Sequence, residues 1–207
     1  MAVNKRRWWQ GGKGKVITQS IGSQLTVGEC NAIEATCCNK QTKQRHCKKT
    51  IKKHKKIIFK PIHSYSGNDI HLLKSFNFKL ITTFIKKHNH IMCQKFLPEI
   101  SKGDKRVFII NGKVCGAISR VPKKGSYLSN MSKGAIPKLT ELTKQEIKIS
   151  KLIGKKLKND NIYFAGIDFI DQKLNGDINV TSPTGLKTYY DLSKINLAKI
   201  FWKGLRA

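Results

Sequence analysis

Apolar and polar positions along the chain divide it near residue 50. Residues 1–50 mix Gly, Gln, Asn, Thr and Lys with no sustained apolar period, which predicts a disordered or weakly structured basic segment. Beyond it the pattern sharpens. Lys56-Ile-Ile-Phe-Lys60 reads as a short buried strand stopped by Pro61, followed by a turn-rich loop over 63–68 and a strand over 69–73. Phe76, Leu80, Ile81, Phe84 and Ile85 share one helical face, which predicts a helix over 76–88. A strand over 90–97 follows. Asn111-Gly112 lies between two apolar runs, so 106–110 and 113–120 should form a tight hairpin. The stretch 121–139 is rich in Gly, Ser, Pro and Lys and has the length of a lid. Thr143 and Glu146 have capping-box spacing and open a helix that turns Ile149, Leu152, Ile153 and Leu157 inward. Phe164–Ile170 and the run from Asp177 read as strands joined by a polar turn over 171–176, and a last helix is expected over 192–202. The mixed order predicts an α+β fold, with helices on a largely antiparallel sheet in one domain over 51–207.

The second hairpin carries candidate chemistry. Asp177 and Asn179 are two apart, so they share a strand face, and a paired neighbouring strand can bring Asp168 to it. Two carboxylates and an amide oxygen suit Mg²⁺, a hard cation that takes oxygen ligands and substrate phosphates. The bland alternative is a surface hairpin with solvated acids. After Asn179 the run Val-Thr-Ser-Pro183-Thr-Gly185 is small and turn-forming, with backbone N–H groups available to an anion.

Charge changes the picture less than its size suggests. The formal net charge is +29, and a basic nucleic-acid-binding protein is the alternative it raises. However, the excess is 35 Lys against 6 Arg, spread along the whole chain. Lysine is a flexible point charge, whereas arginine is the residue of bidentate phosphate and base recognition. The composition reads as generic solvated surface, with nonspecific polyanion binding at low salt as its consequence. No stretch has the ~20 apolar residues of a membrane span, and the basic start lacks the apolar core of a secretory signal. The six cysteines show no disulfide framework, and Cys30, Cys37, Cys38, His46 and Cys47 lack the paired knuckles of structural zinc. A reduced, cytoplasmic setting is expected.

Asp177-Ile-Asn-Val-Thr-Ser-Pro-Thr-Gly185 resembles the C-terminal signature of bacterial glutathione synthetase, an ATP-grasp ligase. Gly103-Asp-Lys-Arg-Val107 and Met92-Cys-Gln-Lys-Phe-Leu-Pro98 are similar to further family segments, in the family's order. The resemblance runs from about residue 51 to the end. It implies an ATP- and Mg²⁺-dependent ligation (Mn²⁺ being the alternative metal) of γ-glutamylcysteine to glycine through an acyl phosphate. It also implies that the full-length family forms homo-oligomers. By resemblance Lys60 contacts ATP phosphates, and the loop with Ser66 and Gly67 closes over them. Gln94, Lys95, Phe96 and Leu97 belong to the strand that holds adenine by its backbone, and Asp104 joins the nucleotide set. Arg106 and Arg120 take the catalytic positions. Asp168, Asp177 and Asn179 correspond to the metal ligands. Asn130, Ser182, Thr184 and Gly185 correspond to substrate contacts. The chain departs from the family in three places. The phosphate loop keeps one glycine, Gly67; the lid has Leu128 and Ile136 where arginines are common; and Asp177 replaces the usual glutamate after a turn one residue longer. The family's N-terminal domain and first lobe strand find no counterpart in residues 1–50, so weak or absent activity of the chain alone is expected.

Overall fold

The computed structural model describes residues 35–39, 45–61 and 67–205, with only the backbone at 35–39, 45–46 and 175–177. The chain divides into two compact units, which meet in sequence at Pro98 and Glu99.

The first unit holds a four-stranded antiparallel sheet in the order β1-β4-β2-β3. Its strands are β1 (Ala35–Asn39), β2 (Ile57–Pro61), β3 (His71–Leu73) and β4 (His90–Lys95), with helices α1 (Arg45–His54) and α2 (Phe78–His88). Within residues 1–50 the described residues are structured: β1 pairs along its length with β4, and α1 begins at Arg45. The side chains of α1 explain why periodicity missed it. Cys47, Thr50 and Ile51 face inward among lysines, a stripe too sparse and too polar to read as amphipathic. Cys47, Ile57, Phe59, Ile81, Phe84, Ile85, Ile91 and Cys93 form the core, with Leu80 of α2 and Phe76, which precedes the Asn77 cap, packed against it. Cys47 is disulfide-bonded, and Cys115 carries a half-buried thiol. The other cysteines of the zinc question lie outside the described side chains.

The second unit is built on a five-stranded antiparallel sheet, β7-β6-β5-β8-β9. Its strands are β5 (Asp104–Ile110), β6 (Lys113–Val121), β7 (Ile136–Leu139), β8 (Phe164–Ile170) and β9 (Lys173–Asn179). Helix α3 (Lys144–Asn159) packs Ile149, Ile153 and Leu157 against Val107, Ile109, Ile167 and Ile178 on one face. The opposite face carries Phe108, Ile110 and Ile118 under α4 (Leu186–Ser193) and α5 (Leu197–Leu205), through Tyr189 and Leu197. The central strand is therefore buried on both faces.

Turn chemistry sets this unit's geometry. Asn111 and Gly112 both take positive φ, 48° and 75°, the conformation of the twisted two-residue hairpin turn. Thr143 and Glu146 form the expected capping box. Three expectations are corrected. The loop over 121–139 ends in a strand, β7, which pairs with β6 from Val121↔Ile136 to Ile118↔Leu139. The second hairpin turns at Asp171-Gln172, at φ 46° and 62°, so the turn expected over 171–176 is shorter and β9 begins at Lys173. The early turn lets Leu174 pair with Phe169 and bury completely. The single C-terminal helix is two helices, broken at Lys194, which sits at φ 62°.

Candidate active site of the second unit

Four charged side chains meet on the α4–α5 face of the sheet, continuing the row of Phe108 and Ile118. Asp104, Arg106, Arg120 and Asp168 are between 1% and 6% exposed. Their meeting is a matter of register. Arg106 lies opposite Asp168 on β8, and Asp104 lies opposite Arg120 on β6. Near the turn, Ile110 pairs with Lys113 and Ile109 with Val114; beyond a bulge, Phe108 pairs with Gly116 and Asp104 with Arg120. The one-residue shift is decisive, because without it Ser119 would oppose Asp104 and Arg120 would change face.

The pairs are bidentate. Arg106 Nε and Nη2 donate to Asp168 Oδ1 and Oδ2 at 2.8 and 2.7 Å. Arg120 Nε donates to Asp104 Oδ1 at 2.8 Å, and its Nη2 donates to Asp104 Oδ2. The same Nη2 lies 2.9 Å from Asp168 Oδ2 and joins the two pairs. The cluster is formally neutral, and fork-on-fork geometry is the arrangement that best tolerates loss of water. Burial disfavours the charge on Asp168, but the guanidiniums of Arg106 and Arg120 outweigh it and hold its carboxyl well below the usual range. Burial pushes Asp104 the other way, with Arg120 opposing and Asp168 assisting. Burial also works against the charge of Arg120, yet the two aspartates raise its pKa above the ordinary arginine value.

The turn after β9 closes on this cluster. Asn179 lies opposite Gly166, two residues before Asp168, so Asn179 and Asp168 share a face as expected. Its Oδ1 accepts from Ser182 N at 3.0 Å, and its Nδ2 donates to Ser182 O at 3.0 Å. Arg106 Nη1 donates to Thr184 O and Oγ1, both at 3.3 Å. Gly185, at φ 114°, caps α4; a Cβ there would come within 3.1 Å of Phe108. Gly166 has no side chain and lies against both Pro183 and Arg106.

The remaining expected residues are distributed as follows. Lys60 is half-buried on β2, and Gly67 sits in a turn at φ 72°. Gln94 and Leu97 are buried, Lys95 is exposed, and Phe96 N donates to Lys56 O at 3.2 Å. All six belong to the first unit. Asn130 is half-buried, and its carbonyl accepts from Lys133 N and Ala135 N. Ser66 and the side chain of Asp177 lie outside the described residues. Among the described residues, no three His, Cys, Asp or Glu side chains form a metal-binding group. Asp168 and Asn179 carry on one face the oxygen donors that Mg²⁺ takes, and those oxygens here accept from Arg106, Arg120 and Ser182 N.

Sequence reasoning missed two members of this neighbourhood. Ser129 Oγ donates to Asp104 Oδ2 at 2.6 Å. On the α3 side of β5, Lys105 Nζ reaches buried Glu146 at 2.9 Å and Glu141 O at 3.0 Å, tying the strand to the capping box. The alternation Asp104-Lys105-Arg106 was the available signal for Lys105; Ser129 left none.

The fold defines the class. Among solved structures, the chain is similar to the ATP-grasp ligase PsnB complexed with minimal precursor, with a TM-score of 0.57 at 13% identity over 86% of this chain and 58% of that one. It is likewise similar to D-alanine–D-alanine ligase from Bacillus anthracis, with a TM-score of 0.54 at 14% identity over 72% and 51%. These likenesses establish an ATP-grasp fold.

Sequence then gives the family. Residues 25–194 match the profile described as prokaryotic glutathione synthetase, ATP-grasp domain, and the chain belongs to that family. The match starts well before residue 51 and takes in β1. Glutathione synthetase of Rhodopseudomonas palustris is 35% identical over 74% of this chain and 50% of its own length. That of Prochlorococcus marinus subsp. pastoris is 44% identical over 50% and 33%. The chain thus spans a third to a half of the curated relatives it matches.

Proposed function

We propose that this chain carries the ligase chemistry of glutathione synthesis: ATP phosphorylates the glycyl-accepting carboxylate of γ-glutamylcysteine, and the amine of glycine displaces phosphate to form the amide. The observation that carries this reading is the Arg106–Asp168–Arg120 cluster beside the Asn179–Gly185 turn, in a chain of this family. A carboxylate is a poor acyl donor, so the protein has to hold anions that repel one another in line for transfer. Arginine forks are suited to that task, because they bind phosphate and carboxylate bidentately. Arg106 and Arg120 are proposed to bind and orient the acyl and phosphoryl groups. Their forks are fixed by Asp168, Asp104 and Thr184 before any substrate arrives. Asp168, Asp177 and Asn179 would hold Mg²⁺, with Mn²⁺ as a substitute; bound there, the ion neutralises transferring phosphates. Lys60 and the loop of Ser66 and Gly67 would hold the ATP phosphates, and the backbone of Gln94–Leu97 the adenine. The turn from Ser182 through Thr184 to Gly185, with Asn130, would face the dipeptide and glycine.

The test is ADP release with γ-glutamylcysteine and glycine in the wild type, Asp177→Ala and Asn179→Ala. We expect substrate-dependent ADP release that falls at least ~100-fold in both variants. Equal, measurable rates in all three proteins would remove the metal assignment, and failure of the folded wild type to bind ATP would remove the ligase reading.

A further inference from the structure

The segment joining β6 to β7 is surface loop for most of its length. From Lys123 to Gly134 every residue is exposed or half-buried except Ser129, which is 9% exposed. Ser129 spends its hydroxyl on Asp104 Oδ2, the oxygen that also receives Arg120 Nη2. Arg120 Nη2 in turn reaches Asp168. A continuous path of charge-assisted hydrogen bonds therefore runs from the middle of the loop to the centre of the candidate site. Backbone bonds such as Ser126 N to Lys123 O and Gly134 N to Met131 O shape the loop locally, and Tyr127 and Lys133 make contacts of their own. Its sulfur contact, Thr188 Oγ1 to Met131 Sδ at 3.6 Å, is a weak one.

We propose that Ser129 is a positioning residue that fastens the β6–β7 loop onto Asp104 and thereby fixes the plane of the Arg120 guanidinium. This inference rests on the functional reading above for its consequence in catalysis, but not for the latch itself. A carboxylate with one donor on Oδ1 and two on Oδ2 is held against rotation. Removal of the Ser129 donor leaves Asp104 to the arginine alone and frees the loop's only buried point between Lys123 and Gly134.

Amide hydrogen exchange on the full chain tests the latch without any need for turnover. In Ser129→Ala we expect amides of residues 126–134 to exchange about tenfold faster or more, with β5 and β8 unchanged. Ser129→Thr, which keeps the hydroxyl, should restore slow exchange, and Ser129→Cys, with a poor donor, should behave as alanine. Rescue by threonine separates a hydroxyl latch from a mere packing role. Unchanged loop exchange in Ser129→Ala and Ser129→Cys overturns the proposal, as does failure of threonine to rescue. With turnover measurable, the KM for the dipeptide should rise in Ser129→Ala while that for ATP stays level. A chain that shows the exchange response but does not bind ATP keeps the latch and loses the functional reading.

Discussion

At Asp168 the fork of Arg106 and a single Nη2 of Arg120 converge on one carboxylate, and each oxygen is engaged. A group of this kind is expensive to break. Asp168→Asn leaves two buried guanidiniums short of a counter-charge, and we expect a loss of about 3–5 kcal/mol in urea unfolding at neutral pH. The pH dependence of that loss follows from linkage. The folded carboxyl titrates below its ordinary value of 3.8, because burial is outweighed by Arg106 and Arg120. A depressed carboxyl stabilises fully above its unfolded pKa, and the benefit is lost as pH falls through the folded value. The gap between wild type and Asp168→Asn should therefore be constant above about pH 5 and narrow steadily below about pH 4. A gap independent of pH down to about 3 would show that Asp168 acts by shape alone.

At the scale of elements, close backbone approach decides what the sheet can carry. Helix α3 crosses the β5–β6 turn with Gly154 against Gly112; a Cβ on Gly154 would fall 2.3 Å from the Gly112 carbonyl oxygen. Helix propensity alone favours Gly154→Ala by about 1 kcal/mol. The clash is with backbone and cannot be relieved by a rotamer, so we expect the substitution to lower stability by about 1–3 kcal/mol in thermal or urea unfolding. A gain in stability would mean that the helix can lift from the turn freely. The same hairpin shows what was legible in the sequence. Asn111-Gly112 and the Thr143/Glu146 box were readable because turn and cap chemistry are local. The bulge between Phe108 and Ile109 that brings Arg120 opposite Asp104 has no local signature. Asp168 could be suspected from type and spacing and Arg106 from the family resemblance, but their pairing depends on β5 lying between β6 and β8, a long-range fact. β7 hid within a loop because Pro137 and exposed Ile136 and Leu139 give it no buried face.

Across the whole molecule, charge outweighs every local pairing. A net +29 on 207 residues means that each lysine sits in the field of many others, and compaction raises that repulsion. Ion pairs do little to relieve it. Those at Lys87–Asp69 and Lys187–Asp191 are exposed, and the buried cluster is neutral within itself. Screening acts at a Debye length of about 30 Å at 0.01 M salt and about 8 Å at 0.15 M, so added salt should remove most of the mutual repulsion between surface lysines. The melting temperature should therefore rise between about 10 and 150 mM NaCl, the reverse of what a fold held by surface ion pairs would show. The same field attracts polyanions. Binding to duplex DNA should be measurable at low salt, fall steeply on a log–log plot against salt, and be equal for unrelated sequences. Lysine offers no base-specific fork, and the six arginines make no run that could supply one. Arg106 and Arg120 are buried in the candidate site, Arg6, Arg7 and Arg206 lie at the two ends of the sequence, and Arg45 opens α1. Duplex binding that persists at about 150 mM NaCl with a preferred sequence would instead assign the charge a partner of its own. A melting temperature that falls with salt would show that attraction, and not repulsion, governs the surface.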